Sequence, residues 1–451
     1  MAQEKLIVSG NGPLSGEVRI SGAKNAALPL LAATLLTDDA VTLENVPRLH
    51  DIEVTLELLT ALGASIAAEG DTVTVNANKA ACCNLPEGLV RRVRGSILLL
   101  GPLLARQGEV RLPLPGGCEI GLRPIGEHIE GLRRMGAELH VSGGEIHGRC
   151  RQLKGATISL KQPSVTATEN LIMAATTADG ITVIDNAARE PEVVDLARLL
   201  NAMGANVMGH GGRRITIQAC AGLHGAEHRV IPDRIESGTF LAAAAATRGQ
   251  VTLLDTRTEF LRSILSCLAA AGCQHRTGED WIRLDARGKT LRAVNVETGP
   301  YPAFPTDMQA QLMVLNAIAK GNSWIRETIF ENRFGHVKEL RRMGADIDTE
   351  GNTARIRGDH PLHGTRVHAT DLRASASLVI AGLAAQGETI IDGMHHLERG
   401  YERIEHKLAG LGALIRRDSG QPCRRQTGAD PASAIGDARV ESAFMNALDG
   451  C

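Results

Sequence analysis

Hydrophobic residues along this chain fall into long and short runs that alternate. Six long stretches are apolar on nearly every helical face: Asn25 to Leu36, Gly95 to Ala105, Thr168 to Ala178, Ser237 to Ala246, Met308 to Ala319 and Ala374 to Ala385. A helix without a polar face belongs inside a core, so these stretches predict buried helices. A Gly or Asp turn follows each, then a short β-rich run such as Val41-Thr42-Leu43 or Val251-Thr252-Leu253. A polar loop and a second, amphipathic helix come next. A strand or hairpin closes the unit, as in Asp71-Thr72-Val73-Thr74-Val75 or Trp281-Ile282-Arg283-Leu284.

The amphipathic helices all end alike: Leu62-Gly63, Met135-Gly136, Met203-Gly204, Ala271-Gly272, Met343-Gly344 and Leu411-Gly412. Successive glycines lie 73, 68, 68, 72 and 68 residues apart. A glycine there suits the left-handed backbone of a helix C-cap. The chain therefore reads as six α/β repeats of about 70 residues, longer than solenoid repeats, which favours a closed arrangement with helices inside and sheets outside. The repeats divide three and three, with the break near Val230-Ile231-Pro232-Asp233-Arg234. This predicts a first domain over 23–231 and a second over 1–22 and 232–417. Strands at Leu6-Ile7-Val8 and Val18-Arg19-Ile20 would pair with the last repeat and return the chain to the second domain. Residues 418–451, rich in Gly, Pro, Ala, Asp and Arg, read as a disordered tail with a short helix around Val440 to Leu448.

Composition narrows the function classes. A net charge of -2 gives no pull toward nucleic acid or membrane, and 2% aromatic residues leave no base-stacking platform. The run from Ile97 to Ala105 is too short to span a bilayer, and Met1 to Lys5 opens no signal-peptide core. Nine cysteines are too sparse for a disulfide scaffold and lack zinc spacing, so a reducing cytoplasm is expected. No metal site is expected: His395 and His396 would face opposite sides of a strand, and no His-Glu-x-x-His occurs. The oligomeric state is open between a monomer and a larger assembly.

Candidate chemistry gathers at loops and helix starts. Pro115-Gly116-Gly117-Cys118-Glu119-Ile120-Gly121-Leu122-Arg123-Pro124 is a loop by its glycines and prolines. Arg94 and Arg123 would lower the pKa of Cys118 and attract an anion, although a hairpin with an incidental thiol fits the same pattern. Lys24 opens the first buried helix, where its charge adds to the helix dipole; a surface lysine at a crossover is the plainer alternative. Arg333, Arg373 and Arg399 lie in loops of the later repeats. Singly they read as salt-bridging side chains; together with Lys24, Arg94 and Arg123 they suit a small substrate bearing phosphate and carboxylate. Asp307 starts another buried helix, either as an N-cap or as a base.

These residues carry a resemblance to the enolpyruvyl transferase family, from about Lys5 to Arg417. It rests on Gly22-Ala23-Lys24-Asn25-Ala26-Ala27-Leu28-Pro29, Pro115-Gly116-Gly117-Cys118, Pro232-Asp233-Arg234-Ile235-Glu236, Phe304-Pro305-Thr306-Asp307-Met308-Gln309, Phe330-Glu331-Asn332-Arg333-Phe334, Asp371-Leu372-Arg373-Ala374-Ser375 and Arg399-Gly400-Tyr401-Glu402. The Lys-Asn pair and the cysteine loop put the chain on the amino-sugar side of that family rather than the shikimate side. The resemblance implies a two-domain inside-out α/β barrel with a cleft between the domains. It also implies transfer of the enolpyruvyl group of phosphoenolpyruvate to the 3-hydroxyl of UDP-N-acetylglucosamine, the first committed step of peptidoglycan precursor synthesis, without metal or organic cofactor. By the resemblance, Cys118 is the general acid and the point of fosfomycin alkylation, and Asp307 takes the hydroxyl proton. Lys24, Arg94, Arg123 and Arg399 hold phosphate, and Arg333, Arg373 and Arg399 hold the carboxylate. Asn25, Arg94, Arg123, Pro124, the Ser164-Val165-Thr166 turn, Asp307 and Ile329-Phe330 contact the sugar nucleotide. Three positions depart from the family pattern: Thr166 for Gly, Gln162 for Lys, and Glu127 for a neutral residue. They keep open a paralogue acting on another nucleotide and a catalytically silent binding protein.

Overall fold

All six apolar stretches form buried helices. A computed structural model, describing residues 4–80, 82–116 and 124–418, places them at Lys24–Ala33, Leu100–Gln107, Val165–Ala175, Arg234–Ala246, Gln309–Ile318 and Leu372–Ala384. A 3-10 turn leads the second helix at Arg94–Leu99 and the fifth at Thr306–Met308. In Arg234–Ala246 every residue after the first is buried, and its alanine run lets neighbours approach closely. The third helix contacts the first two, the first also meets the 3-10 turn Arg94–Leu99, and the last three all contact one another. Two apolar cores result, one drawn from residues 23–230 and one from residues 6–20 with 235–413.

Sheets cover these helices on the outside. Among the described residues five sheets have four strands in the same arrangement, and a sixth has three. In the first unit, Ala40–Glu44 pairs antiparallel with Thr72–Asn76, which pairs antiparallel with Ser65–Glu69. The fourth strand is parallel and comes from another part of the chain: Glu227–Arg229 lies beside Ala40–Glu44. The same parallel addition recurs as Thr157–Ser159, Ser15–Arg19, Val296–Glu297 and Arg366–His368. In the three-stranded sheet a single parallel bridge, Asn84 to Arg111, stands at that place. All six glycines after the amphipathic helices have positive φ, between 91° and 102°. The expected capping conformation is therefore present in every repeat.

The chain passes between the two cores twice, and the passages touch. Gly22 bridges Pro232, Ala23 N donates to Ile231 O at 2.7 Å, and Asp233 N donates to Ser21 O at 2.9 Å. A Cβ on Gly22 would sit 1.7 Å from Asn45 O, so only glycine fits this crossing. Lys5–Ser9 lies between Glu388–Asp392 and Leu414–Asp418 in the last sheet.

Three expectations need correction. Of the two leading strands only Lys5–Ser9 joins the last repeat; Ser15–Arg19 pairs with Gln250–Leu254 of the fourth. Asp418, expected to open the tail, is the last residue of a strand and pairs with Lys5. His395 and His396 are not on a strand. They lie in the short helix Met394–Leu397, where successive side chains are about 100° apart rather than on opposite sides, and their rings are 4.0 Å apart. Residues 419–451, including the expected helix near Val440, are outside the described residues. Among the described residues no helix is long and apolar enough to cross a membrane.

Candidate active site

Each inner helix, or the 3-10 turn leading it, carries a candidate residue at its start. They are Lys24, Arg94, Thr166, Asp307 and Arg373, and the fourth helix opens on Arg234, which the sequence offered only as part of a motif. Helix N-termini expose unpaired N–H groups and a partial positive charge, which suits anionic ligands. Asp233 caps the fourth helix through Ile235 N and Glu236 N, and its other oxygen receives Lys24 N at 3.4 Å. The first and fourth helix starts are thereby joined at the crossing.

Lys24 and Arg399 meet on one carboxylate that the sequence reading did not single out. Asp51 is 3% exposed and accepts Lys24 Nζ at 3.3 Å and Arg399 Nε at 2.8 Å. Burial raises its pKa, but the two cations outweigh this and hold the carboxyl below its usual range. Lys24 and Arg399 come from opposite halves, so Asp51 ties the halves together. The signal was available: Asp51, Thr55 and Leu58 share the buried face of His50–Ala61. An acid on such a face needs a partner.

Asp307 is the second centre. The expectation of a helix N-cap fails: the helix Gln309–Ile318 has no side-chain cap, and Asp307 lies in the 3-10 turn before it. Its carboxylate instead accepts Arg333 Nη2 at 2.6 Å and Arg373 Nη2 at 2.8 Å. Both guanidiniums are almost fully buried. Burial pushes the Asp307 carboxyl up, yet Arg373, Arg333 and the more distant Lys24 hold it far below the ordinary range. Arg373 also donates from Nη1 to Tyr401 Oη at 3.1 Å, and the Tyr401 hydroxyl meets Thr239 Oγ1 at 2.9 Å. Burial raises the Tyr401 pKa against the pull of Arg373, so the phenol stays neutral and fixes the guanidinium.

The remaining described candidates have contacts of their own. Arg94 Nη1 donates to Pro115 O at 3.2 Å, reaching the root of the cysteine loop. Cys118 and Arg123 are outside the described residues. Pro124 is exposed, just before the helix Gly126–Arg134, and Asn25 is half-buried beside Lys24. Ser164 caps the third helix through Ala167 N, with Val165 and Thr166 half-buried in its first turn. Thr166 Oγ1 meets Nε2 of the buried His128 at 3.1 Å, and Glu127 Oε1 accepts Lys161 N at 3.2 Å. Two of the three departures thus stitch the Ser164-Val165-Thr166 turn and Lys161 to the first turn of Gly126–Arg134. Ile329 N and Phe330 N both donate to Glu327, and the Arg333 guanidinium lies 5.4 Å from the Phe330 ring centroid. Arg234 and Glu192, not singled out from sequence as a pair, form a buried ion pair at 2.9 Å across the two halves.

Six-fold repetition, inner helices and a cation-rich site at their N-termini define a carboxyvinyl-transferase architecture. The chain belongs to the EPSP synthase (3-phosphoshikimate 1-carboxyvinyltransferase) family, which it matches over residues 8–408. Within that family, the UDP-N-acetylglucosamine 1-carboxyvinyltransferase of Halorhodospira halophila (strain DSM 244 / SL1) is 54% identical over 415 residues, 92% of this chain and 99% of that relative. The crystal structure of the enolpyruvyl transferase NikO from Streptomyces tendae superposes with a TM-score of 0.85 at 28% identity, covering 92% of this chain and 99% of that one. An EPSP synthase from Acinetobacter baumannii shares the fold at a TM-score of 0.71 and 20% identity, over 92% of this chain and 100% of that one. The inside-out α/β fold read from the repeats is the fold of these neighbours.

Proposed function

We propose that this protein transfers the enolpyruvyl group of phosphoenolpyruvate to the 3-hydroxyl of UDP-N-acetylglucosamine and releases phosphate, in the cytoplasm, opening peptidoglycan precursor synthesis. The observation that carries this reading is the 54% identity to the Halorhodospira halophila transferase across 92% of the chain. Protonation of the phosphoenolpyruvate methylene, assigned to Cys118, makes C2 electrophilic. The sugar oxygen bonds to C2 and its proton passes toward Asp307. A proton then leaves C3, the C2–O bond to phosphate breaks, and the enol ether remains.

The two clusters suit this sequence. Lys24, buried, and Arg399, half-buried, already share an anion, and they receive the phosphate. Arg94 and Arg123 add to the same anion site. Arg333 and Arg373 receive the carboxylate. Held far below its ordinary pKa, Asp307 is a weak base while both guanidiniums bind its carboxylate. A substrate carboxylate that draws on Arg333 and Arg373 relieves that hold and raises the basicity of Asp307 where the hydroxyl proton must go. Asn25, Pro124, the Ser164-Val165-Thr166 turn and Ile329-Phe330 complete the acceptor side.

The test is phosphate release from phosphoenolpyruvate with a panel of UDP-sugars and free nucleotides. Release with UDP-N-acetylglucosamine alone supports the reading. Release with another nucleotide but not the amino sugar replaces it with the paralogue, and no release with any acceptor leaves a binding protein. Fosfomycin treatment with mass spectrometry tests the acid: the adduct is expected on Cys118 and absent in Cys118→Ala.

A further inference from the structure

Glu327 ties two parts of this site together. It follows the strand Asn322–Arg326 and is 2% exposed. A carboxylate buried there is costly unless its oxygens are well satisfied. Oε1 accepts Ile329 N at 2.8 Å, Phe330 N at 3.3 Å and Thr298 Oγ1 at 2.9 Å. Oε2 accepts Thr306 Oγ1 at 2.9 Å. All four donors are neutral groups, and a carboxylate gathering so many fixes the backbone it touches. Thr306 immediately precedes Asp307. Ile329 and Phe330 lead into Arg333, whose guanidinium lies over the Phe330 ring and binds Asp307. The contacts close a ring: Glu327, Thr306, Asp307, Arg333, Phe330 and back to Glu327.

We propose that Glu327 is a positioning residue that sets the Asp307 carboxylate and the Ile329–Phe330 turn in fixed relation, so that an acceptor hydroxyl held by the turn arrives at the base. This rests on the transfer reading above. Glu327 touches no reacting atom; it acts through Thr306 and two amides. Misplacing a reacting group by about 1 Å costs on the order of a hundredfold in rate, so the link through Thr306 to Asp307 should appear in kcat and the link to the two amides in acceptor binding.

The experiment compares wild type, Glu327→Ala, Glu327→Gln and Thr306→Val by steady-state kinetics per folded molecule. Glu327→Ala should lower kcat by roughly tenfold to a hundredfold and raise the acceptor KM about tenfold, with the phosphoenolpyruvate KM within about twofold of wild type. Glu327→Gln keeps an oxygen for the two amides and should restore the acceptor KM. Thr306→Val breaks only the Asp307 link and should lower kcat without moving the acceptor KM. Amide exchange at Ile329 and Phe330 should speed up in Glu327→Ala alone. Unchanged constants in Glu327→Ala, or equal rises in both KM values, overturn the inference. If Glu327→Ala does not fold, the Glu327→Gln and Thr306→Val kinetics still decide it: an acceptor KM raised equally in both overturns it. A wild-type protein that releases no phosphate overturns the transfer reading and this inference with it. An active wild type beside an unmoved Glu327→Ala overturns this inference alone.

Discussion

Buried charge dominates at the scale of single residues. Arg333 and Arg373 share Asp307, and neither can leave its charge behind. Asp307→Asn should therefore do more than stop turnover. It strands two buried guanidiniums, and removing one partner of such a pair costs about 3 kcal/mol or more, measurable by urea unfolding. Equal stability of the variant and wild type would show that the arginines are solvated instead. Buried histidines give a second prediction. Burial, helped by Arg94, depresses His128 from 6.5 to about 3. Burial, helped by Arg333 and opposed by Asp371, depresses His336 from 6.5 to about 4. Both are neutral in the folded chain, while the unfolded chain binds their protons below pH 6.5. Stability should thus be indifferent to these groups above pH 7 and fall as pH drops from 6.5 toward 4. At pH 5 each should cost about 2 kcal/mol, so the double variant His128→Gln/His336→Gln should flatten the acid limb of a stability–pH curve.

Elements explain what the sequence made legible. The inner helices were readable because they are apolar all round, and the repeat was readable because each C-cap demands a glycine at the same place. The parallel fourth strands were not: Thr157–Ser159 and Val296–Glu297 are too short to show a period of two. Asp51 was missed because it sits in no motif. Its meaning comes from Lys24 and Arg399, which reach it across distant segments. Asp307 was placed at the start of the right helix with cap and base both left open, since position in sequence does not tell whether a carboxylate turns back to its own helix or outward to arginines. Asp371 does turn back, accepting Arg373 N at 2.8 Å and Ala374 N at 3.1 Å. Asp371→Ala should cost about 1–2 kcal/mol by loss of that cap. Because the first turn of this helix carries Arg373, the phosphoenolpyruvate KM should rise as well. Asp371→Asn, which can still cap, should recover most of both. A rise in KM that persists in Asp371→Asn would mean the charge, not the cap, is what matters.

On the scale of the whole molecule, the last strand connects chain closure to the site. Leu414–Asp418 pairs along Lys5–Ser9, whose Leu6 and Val8 are fully buried in the second core. Its Arg417 donates to Glu405 at 2.7 Å, on the helix before it, and to Glu398 at 2.5 Å, the residue preceding Arg399. Ending the chain after Asp418 keeps all of these contacts. Ending it after Ala413 exposes one edge of Lys5–Ser9, removes Arg417 and leaves Glu405 and Glu398 without that partner. A loss of about 3 kcal/mol is in the usual range for such damage. For a domain of roughly 200 residues this lowers Tm by roughly 6–12 °C. The chain ending at Asp418 should melt with wild-type Tm and turn over at the wild-type rate. The chain ending at Ala413 should melt earlier, and its phosphoenolpyruvate KM should rise because the segment carrying Arg399 is no longer held through Glu398. Calorimetry and kinetics on the two truncations decide it. Equal melting would show that the strand adds nothing to the fold, and loss of stability or turnover in the chain ending at Asp418 would give residues 419–451 a part in one or the other.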